Sequence, residues 1–380
     1  MKVLLVAGAR PNFMKIAPIY RASLDHPEVE CKIVHTGQHY DYEMSQSFFE
    51  DLDIPAPDYF LNAGSGSHAV QTAKIMTAFE EICETEKPDL VMVVGDVNST
   101  LACSIVAKKI GIGVAHVEAG LRSFDMTMPE EINRMVTDAI SDYFFVTEES
   151  GTQNLLKEGK PPERIHDVGH VMIDNLRYQL GKLTDGAVDS RKFGVYALKQ
   201  ERKRFAFMTL HRPSNVDCRE TFQGIVAALN EIAEDLPVFF PVHPRTKKMA
   251  DQFQIGFSPR ITLLPPLGFT ESLFLWKDAE VVFTDSGGLQ EETTALGIPC
   301  VTIRENTERP ITVQIGTNVL AGTTRKSILN AFRESLQKKA YASVPQKWDG
   351  RAAERIWSIL TGFDAQDSAF CQEGEIRGCS

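Results

Sequence analysis

Short apolar runs alternate with helix-length amphipathic segments along almost the whole chain, and this alternation restricts the fold more than any other feature. Strand-length runs joined by helix-length segments need crossover connections, which produce parallel sheets covered by helices on both faces. The sequence therefore predicts an α/β fold. The predicted strands are residues 3–6, 31–35, 90–94, 113–117, 143–146 and 165–168 in the first half, and 205–209, 238–242, 261–264, 280–284, 300–303 and 319–321 in the second.

The alternation occurs twice, in halves of similar length, and 380 residues exceed the usual size of one domain. We therefore predict two Rossmann-like domains with parallel sheets facing a deep cleft. The N-terminal domain is expected to span residues 1–170 and the C-terminal domain residues 171–350. A final helical segment near residues 350–362 fits either domain, packing on the first included.

Charge and composition exclude several classes of function. A formal net charge of −11 argues against a nucleic-acid surface, which needs a basic footprint. No apolar run reaches the roughly 20 residues of a membrane span. The seven cysteines form no C-x-x-C pair, as expected of reduced thiols in the cytoplasm. No metal-ligand spacing is present, and no G-x-G-x-x-G follows the first strand, so we expect neither a metal nor a nicotinamide cofactor.

Polar segments follow the predicted strands in both halves. They read GARPNFMK, GDVNST and HVEAGLRS in the first half, and TLHRPSN, PVHPRTK and TDSGGLQEE in the second. Ligands of open parallel sheets bind at the carboxyl ends of the strands. These segments are therefore predicted to line a ligand cleft.

In the first half, Arg10 and Lys15 lie near a helix start, where an anion would resolve the repulsion between these cations and the helix dipole; two solvated surface cations are the alternative. Asp96 ends a buried strand and either binds a ligand or stabilises its own turn. Glu118 ends another apolar run, where a charge is costly unless it is used.

The pair Glu130 and Glu131 opens a predicted helix, where the helix dipole alone favours acidic side chains. Arg134 lies one turn beyond Glu130 and either pairs with it or reaches a ligand phosphate.

In the second half, His211 follows a strand and is suited to contact a phosphate or move a proton. Ser286, Gly287 and Gly288 join a strand to a helix, so that their backbone N–H groups suit a phosphate. A carboxylate one turn later, Glu291 or Glu292, suits a diol such as ribose. A phosphate and a diol together indicate a nucleotide.

Taken together, the motifs GARPNFMK, TGQH, GDVNST, HVEAGLRS, MPEEINR, DSGGLQEE and TERPITVQIGTNVLAG resemble the non-hydrolysing UDP-N-acetylglucosamine 2-epimerases, from the first strand to about residue 322. The resemblance implies a glycosyltransferase-B type of fold, a cytoplasmic homodimer, and a UDP-sugar as the partner molecule. It also implies epimerisation at C2 between UDP-N-acetylglucosamine and UDP-N-acetylmannosamine for cell-surface polysaccharide biosynthesis, with no metal or nicotinamide.

The resemblance also assigns roles by position. The catalytic residues it implies are Asp96, Glu118, Glu130 and His211, and the substrate-binding residues are Arg10, Lys15, Arg134, Phe269, Ser286, Gly287, Gly288, Glu292 and Arg309. Glu292 is implied to hold the ribose, and Phe269 to lie near the uracil. Which carboxylate serves which face of C2 stays open.

Two features leave alternatives. The segment GQHYDYEM at residues 37–44 is longer than the QH-x-E-M pattern of many bacterial members, which puts their regulatory substrate site in doubt here. The alternatives to the non-hydrolysing reaction are a hydrolysing 2-epimerase, a 2-epimerase of a modified UDP-sugar such as a 2,3-diacetamido uronic acid, a glycosyltransferase and a silent nucleotide-sugar sensor.

Overall fold

The computed structural model describes residues 1–37 and 49–373, without the side chains of Arg10 and residues 363–373. It divides the chain into two units. The first unit comprises Met1–Asn175 and the chain from Lys347 onward, and the second unit comprises Leu176–Gln346. The sequence placed these boundaries at residues 170 and 350.

The first unit contains a parallel sheet of seven strands within the described residues, in the order β3-β2-β1-β4-β5-β6-β7. The central strands are buried on both faces and therefore read as continuous apolar runs, such as VLLVA at residues 3–7. The strands are β1 Lys2–Ala7, β2 Glu30–His35, β3 Tyr59–Phe60, β4 Leu90–Val94, β5 Gly113–Val117, β6 Tyr143–Val146 and β7 Ile165–Asp167.

Helices cover both faces of this sheet, as crossover connections require. Side chains of α2, α3 and the sheet form one hydrophobic core that includes Phe79, Val91 and Val106. The helices of this part of the chain are α1 Arg10–Ser23, α2 His68–Glu86, α3 Asn98–Lys109, α4 Pro129–Ile140, α5 Glu149–Lys157 and α6 Val171–Thr184, with a short 3₁₀ turn at Pro162–Arg164.

The end of the chain returns to the first unit. The buried indole of Trp357 donates to the Ile19 carbonyl of α1 (2.7 Å), and that of Trp348 donates to the Thr147 carbonyl (3.2 Å). The carboxylate of Asp174 accepts hydrogen bonds from the backbone of Ala352 (3.1 Å) and Ala353 (2.7 Å), where the final helix begins. Burial raises the pKa of Asp174 to about 6. The final segment, left open between the two domains by the sequence, thus packs on the first.

The second unit contains a parallel sheet of six strands within the described residues, in the order β10-β9-β8-β11-β12-β13. Its core includes Phe222, Phe240 and Phe283, which are fully buried. The strands are β8 Ala206–Met208, β9 Val238–Pro241, β10 Ile261–Leu264, β11 Val281–Thr284, β12 Cys300–Thr302 and β13 Asn318–Leu320.

The helices around this second sheet complete the same alternating pattern. They are α7 Tyr196–Gln200, α8 Pro213–Val216, α9 Arg219–Asp235, α10 Pro244–Phe253, α11 Phe269–Trp276, α12 Gly287–Ala295, α13 Pro310–Gln314 and α14 Arg325–Lys338, with a 3₁₀ turn at Ser190–Lys192. The last helix of the structure, α15 Ala352–Glu373, belongs to the first unit.

The predicted fold class is confirmed, with two parallel sheets and helices that alternate with the strands. Each predicted strand overlaps an observed one, and β3 is an addition. In each sheet the strand order reverses once, between β1 and β4 and between β8 and β11. The carboxyl ends of strands at such a reversal form a natural crevice for a ligand.

Candidate active site

Glu118 and Lys15 form a close ion pair at the carboxyl ends of the strands in the first unit. Lys15 Nζ lies 2.5 Å from Glu118 Oε2, and the Glu118 side chain is only 3% exposed. Lys15 extends from α1, and Glu118 follows β5 directly. The register that pairs Val94 with Val117 brings the end of β4 to the same place. The structure therefore brings these two predicted site residues together.

The backbone around this pair is unusual. Glu118 adopts φ +70°, a left-handed conformation that side chains other than glycine occupy at a cost. Gly95, at φ +69°, lies beneath the pair, and a Cβ there would be 2.9 Å from Lys15 Nζ. The loop after β4 therefore needs glycine for both its conformation and its space. Strained backbone beside a buried charge pair is typical of a functional site.

Asp96 is held by helix α4. Its carboxylate oxygen Oδ2 accepts from Arg134 Nη1 (2.6 Å), and its backbone carbonyl accepts from Asn133 Nδ2 (2.9 Å). The carboxylate stays 32% exposed, whereas the Arg134 side chain is 9% exposed. Asp96 is therefore held in a fixed position while its carboxylate stays accessible. A residue that only stabilises its own turn would not need both properties.

Arg134 pairs with Glu131 as well as with Asp96. Its Nη2 donates to Glu131 Oε2 (2.8 Å), and the same carboxylate accepts from the backbone of Ser123 and Phe124. Burial opposes ionisation of Glu131, but these backbone hydrogen bonds and Arg134 outweigh it and lower its pKa.

The helix neighbour with which Arg134 pairs is Glu131 and not Glu130, whereas the other alternative, a contact with a ligand phosphate, stays a prediction. Glu130 is exposed at the start of α4, while Glu131 faces the interior beside Arg134. The Arg134 guanidinium therefore pairs with Glu131, because both side chains lie on the buried face of α4. Arg10 begins α1, but its side chain lies outside the description, and so does the GQHYDYEM segment from residue 38 onward.

His116 and Asp138 form a buried pair beneath the same loops, and neither side chain is exposed. His116 Nδ1 lies 2.6 Å from Asp138 Oδ1, and Nε2 lies 2.9 Å from the Gly95 carbonyl oxygen. The other Asp138 oxygen accepts from the Gly120 backbone (3.0 Å) and pairs with Arg122 Nη1 (2.7 Å). The sequence analysis assigned no role to this pair, although His116 stands two residues before Glu118 in HVEAGLRS.

In the second unit, His211 is anchored by the buried Asp285. His211 Nδ1 lies 3.0 Å from Asp285 Oδ1, and Asp285 Oδ2 accepts from the backbone of His211 (2.9 Å) and Arg212 (2.8 Å). Burial opposes ionisation of Asp285, but the contacts with His211 and these amides outweigh it and lower its pKa. The His211 side chain is 43% exposed, so the anchored ring remains accessible.

A second histidine lies nearby, with its ring centroid 5.8 Å from that of His211. His243 Nδ1 accepts from the Arg245 backbone (3.2 Å) and caps α10. Burial, followed by repulsion from His211, lowers the pKa of His243. His243 therefore stabilises the turn between Val242 and Pro244, at the start of α10.

The turn at Ser286, Gly287 and Gly288 leads directly from β11 into α12. Ser286 is the N-cap of this helix, and its backbone N–H donates to Thr284 Oγ1 (2.9 Å). A Cβ on Gly287 or Gly288 would meet no described atom within 4 Å. The start of the helix thus leaves room where its dipole is positive, which suits an anion.

The two adjacent glutamates of α12 differ in their surroundings. Glu291 forms an ion pair with Arg309, whose side chain is 17% exposed. Glu292 is 6% exposed, and burial, followed by repulsion from Glu291, raises its pKa to about 8. Glu292 is therefore neutral at pH 7, when its carboxyl group both donates and accepts hydrogen bonds.

Three further residues complete the second cluster. Phe269 begins α11 and is half-buried. The buried Arg304 pairs with Glu308, with Nη2 2.7 Å from Oε1. Burial and the nearby Arg304 lower the pKa of Arg212. Arg304 and Asp285 escaped the sequence analysis, although DSGG and the arginine after strand β12 were signals for them.

Among residues 1–37 and 49–373, no group of three or more His, Cys, Asp or Glu side chains is arranged to hold a metal ion. In the same ranges, none of the helices combines the length and the hydropathy needed to cross a membrane. The cluster of the first unit, formed around Asp96 and Glu118, supplies carboxylates that suit proton transfer. The cluster of the second unit, formed around His211 and the Ser286–Gly288 turn, supplies a histidine and helix amides that suit a phosphate.

Comparison with known proteins is consistent with this chemistry. A family model described as UDP-N-acetylglucosamine 2-epimerase matches residues 21–361. A UDP-N-acetylglucosamine 2-epimerase from Methanocaldococcus jannaschii is 42% identical over 367 residues, which cover 95% of this chain and 99% of the relative. A UDP-2,3-diacetamido-2,3-dideoxy-D-glucuronate 2-epimerase from Pseudomonas aeruginosa is 39% identical over 363 residues, again with 95% and 99% coverage.

Solved structures are similar over the same length. The M. jannaschii UDP-GlcNAc 2-epimerase in complex with UDP-GlcNAc and UDP has a TM-score of 0.81, with 42% identity and coverage of 95% of this chain and 99% of that chain. The Neisseria meningitidis UDP-GlcNAc 2-epimerase bound to UDP-GlcNAc has a TM-score of 0.84, with 30% identity and coverage of 95% and 100%.

Proposed function

The chain belongs to the UDP-N-acetylglucosamine 2-epimerase family, and from this premise we propose that it interconverts UDP-N-acetylglucosamine and UDP-N-acetylmannosamine without hydrolysis. The hydrogen at C2 has no adjacent carbonyl, so its direct removal is very unfavourable. Loss of UDP from C1 develops positive charge there and acidifies this hydrogen. Elimination therefore gives a 2-acetamidoglucal and UDP, and re-addition with protonation from the opposite face gives the epimer.

The proton steps fall to the carboxylates of the first unit. In this proposal Glu118 and Asp96 remove and return the C2 proton, with Glu130 as the third carboxylate of the set. Proton delivery to opposite faces of one carbon needs two groups or one mobile group, so several carboxylates are expected. Lys15 lies beside Glu118 and Arg134 beside Asp96, so each of these two carboxylates has a cationic partner that fixes its position.

The second unit is proposed to hold the leaving group. His211 and the amides of the Ser286–Gly288 turn would stabilise the charge that develops on UDP, together with Arg309. Glu292 would bind the ribose hydroxyls, and Phe269 would lie by the uracil. Arg10 and Lys15 would contact the substrate from the first unit. No step needs a metal ion or a redox cofactor.

One observation carries the proposal most directly: a buried carboxylate, Glu118, is held in a left-handed backbone conformation with its ion-pair partner at 2.5 Å. A silent nucleotide-sugar sensor would gain nothing from such a group, because a carboxylate repels a diphosphate. A carboxylate that accepts a proton from carbon explains both the strain and the pairing.

Proton NMR in heavy water tests the proposal in one experiment. Incubation of the protein with UDP-N-acetylglucosamine should give UDP-N-acetylmannosamine and deuterium at C2 in both sugars, without accumulation of free sugar. Steady release of N-acetylmannosamine and UDP would instead identify a hydrolysing 2-epimerase. Sugar transfer that occurs only with an added acceptor, without exchange at C2, would identify a glycosyltransferase.

A modified UDP-sugar is the second candidate substrate, and the Pseudomonas relative at 39% identity supports it. The same elimination chemistry applies, because the diacetamido uronic acid also carries its C2 hydrogen beside C1. Parallel assays with both UDP-sugars at equal concentration decide between them by kcat/KM. A preference of at least about tenfold, equivalent to about 1.4 kcal/mol, assigns the substrate.

We further infer that the protein is a homodimer that associates through helix α4. This helix exposes Ile132, Met135 and Val136 along one face, at 43%, 38% and 36% exposure, while its polar residues Glu131 and Arg134 are buried. An apolar stripe at i, i+3 and i+4 facing solvent suits the matching helix of a second copy.

Light scattering after size exclusion tests this association. Met135→Glu should convert a dimer into a monomer and lower turnover, because α4 also carries Arg134 and Glu130. Glu149→Lys, on exposed α5, is the control and should leave the mass unchanged. A monomeric wild-type protein, or a dimer that survives Met135→Glu, would remove α4 as the interface.

We also place the protein in the cytoplasm, where it would supply cell-surface polysaccharide biosynthesis. The five cysteines whose side chains the structure describes are free thiols, and Cys83, Cys103 and Cys300 are buried, as reducing compartments allow. Fractionation of the producing cells followed by thiol labelling tests this location. Recovery of the protein outside the cytoplasmic membrane would contradict it.

A further inference from the structure

The ring of His116 has an acceptor on each side. Nε2 faces the Gly95 carbonyl oxygen at 2.9 Å, and Nδ1 faces the Asp138 carboxylate at 2.6 Å. A carbonyl oxygen can only accept. Asp138 is held in its ionised form by the Arg122 guanidinium at 2.7 Å and by the Gly120 N–H at 3.0 Å, so it also accepts. Each ring nitrogen therefore faces an acceptor, an arrangement that a hydrogen on both nitrogens would satisfy.

The charges around this ring balance. Asp138 is shared by His116 and Arg122, and Arg122 also reaches Glu158, with Nη2 2.7 Å from Oε2. Two cations therefore alternate with two anions, His116, Asp138, Arg122 and Glu158. Such an alternation offsets the cost of burying the imidazolium, which an isolated charge could not.

This network binds the backbone next to both proposed catalytic carboxylates. The Gly95 carbonyl belongs to the peptide bond that leads into Asp96, so the hydrogen bond from His116 fixes the plane of that peptide. Asp138 Oδ2 fixes the Gly120 N–H, two residues after Glu118. Gly120 has φ +79°, and a Cβ there would lie 2.3 Å from the Gly151 carbonyl oxygen, so this loop packs closely on the Gly151 backbone and requires glycine.

We propose that His116, protonated on both ring nitrogens and held by Asp138, is a positioning residue that sets the place of Asp96 relative to Glu118. It does not touch the substrate and acts through the Gly95 peptide. The proposal rests on the function above, in which Asp96 and Glu118 exchange the C2 proton. Displacement of one by a fraction of an ångström is enough to slow such a transfer.

A matched pair of substitutions tests it. The amide nitrogen of glutamine takes the place of Nε2, so His116→Gln keeps a donor toward the Gly95 carbonyl and loses the bond to Asp138. The amide nitrogen of asparagine takes the place of Nδ1, so His116→Asn keeps the bond to Asp138 and loses the one to Gly95. Both substitutions remove the charge and a similar part of the ring.

The proposal predicts that His116→Asn lowers kcat by about tenfold or more with KM within about threefold of wild type, as one lost hydrogen bond implies. His116→Gln should recover most of that loss. A purely structural role would make both variants lose activity in proportion to their loss of stability, measured by urea unfolding. Equal kcat values for the two variants at equal stability would therefore overturn the proposal.

An independent measurement is made on the wild-type protein and needs no activity. In wild-type protein labelled with ¹⁵N at histidine, the ring of His116 should show two protonated nitrogens at neutral pH, with the assignment made by its absence in His116→Gln. A neutral ring with one protonated nitrogen would overturn the proposal even if the protein epimerises its substrate. If the protein instead fails to epimerise while the imidazolium is present, the proposed function is wrong and the charge arrangement stands.

Discussion

The two strand-end clusters hold their reactive groups by different means. In the first unit, side chains hold side chains, with Lys15 on Glu118 and Arg134 on Asp96. In the second unit, the side chain of Asp285 holds His211, but this carboxylate is itself bound by two backbone amides, and the start of α12 leaves an open turn. Ion pairs set protonation states, whereas aligned amides offer fixed positive dipoles. The first arrangement suits proton transfer and the second suits an anion.

Removal of the base gives the largest effect and tests the proton-transfer half of this comparison. Glu118→Gln keeps the size of the side chain and a contact for Lys15 but cannot take a proton. We expect C2 deuterium exchange to fall by about 10²- to 10⁴-fold, the usual contribution of a general base. UDP affinity, measured by calorimetry, should change little because the second unit is intact.

Asp96→Asn should show the same separation of exchange from UDP binding. Glu84→Gln, at an exposed position of α2, is the control and should behave as wild type. Wild-type exchange in either site variant would remove that carboxylate from the mechanism.

The anchor of the second unit is the next test. Asp285→Asn replaces a carboxylate with an amide, whose NH₂ group cannot accept the hydrogen bonds that the carboxylate accepts. We therefore expect a loss of about 2 to 3 kcal/mol in the free energy of unfolding at pH 7. Because the pKa of Asp285 is lowered in the folded protein, its stabilisation is present above the ordinary carboxyl pKa and is lost as pH falls. The difference in the free energy of unfolding between variant and wild type, measured by urea unfolding, should therefore become smaller below about pH 4.

UDP binding by Asp285→Asn should also weaken, because His211 loses its anchor. Asp251→Asn, at the exposed ion pair with Lys247, is the matched control and should alter neither quantity. A gap that widens toward low pH would contradict the assigned ionisation.

The open turn predicts a change in binding without a cost in stability. Gly288→Ala places a methyl group where no described atom lies within 4 Å, so the fold should accept it and gain up to about 0.5 kcal/mol from helix propensity. The methyl group would obstruct a phosphate at the helix start and weaken UDP binding by about tenfold, or 1.4 kcal/mol.

Gly362→Ala in α15 provides the comparison, because its Cβ also meets nothing within 4 Å and it lies away from the strand ends. Thermal unfolding should be similar for both variants, and calorimetry should show weakened UDP binding for Gly288→Ala alone. Unchanged affinity in Gly288→Ala would mean that the phosphate is bound elsewhere.

The smallest effect concerns the buried carboxyl group of Glu292. Its pKa is raised to about 8, so the folded protein keeps a proton that the unfolded chain loses at lower pH. Stability from this group is fully present below its ordinary pKa and is lost as pH rises to about 8. Glu292→Gln, which cannot ionise, should thus match wild type at about pH 4 and exceed it by about 1 kcal/mol or more at about pH 9.

Urea unfolding at the two pH values measures this difference. A variant that is equally destabilised at both would show that Glu292 is ionised in the folded protein and that its burial is offset by a partner.

Patterns in the sequence predicted the strands of both sheets well because parallel strands buried on both faces are continuous apolar runs. Strand β3 was missed because Tyr59 and Phe60 are its whole length and extend the sheet only at its edge. The turn at Ser286 was predictable from glycine spacing, since a short stretch of adjacent residues specifies it.

The side-chain network of the first unit was less accessible to sequence analysis. Helix α4 carries Glu130 and Glu131 side by side, and only the rotation of the helix decides which one faces Arg134. The contact of Asp138 with His116 joins residues 22 positions apart, and no local pattern marks it. Such pairs depend on tertiary packing, which secondary-structure propensity and hydrophobic periodicity do not predict.

The return of the chain from residue 347 to the first unit has a consequence for the order of assembly during synthesis. The second unit is one continuous segment, Leu176–Gln346, and leaves the ribosome whole. The first unit lacks the indoles of Trp348 and Trp357 and the helix start that binds Asp174 until the residues after 346 have been synthesised. The first unit is therefore begun before the second unit and completed after it, and until then part of its apolar surface stays uncovered.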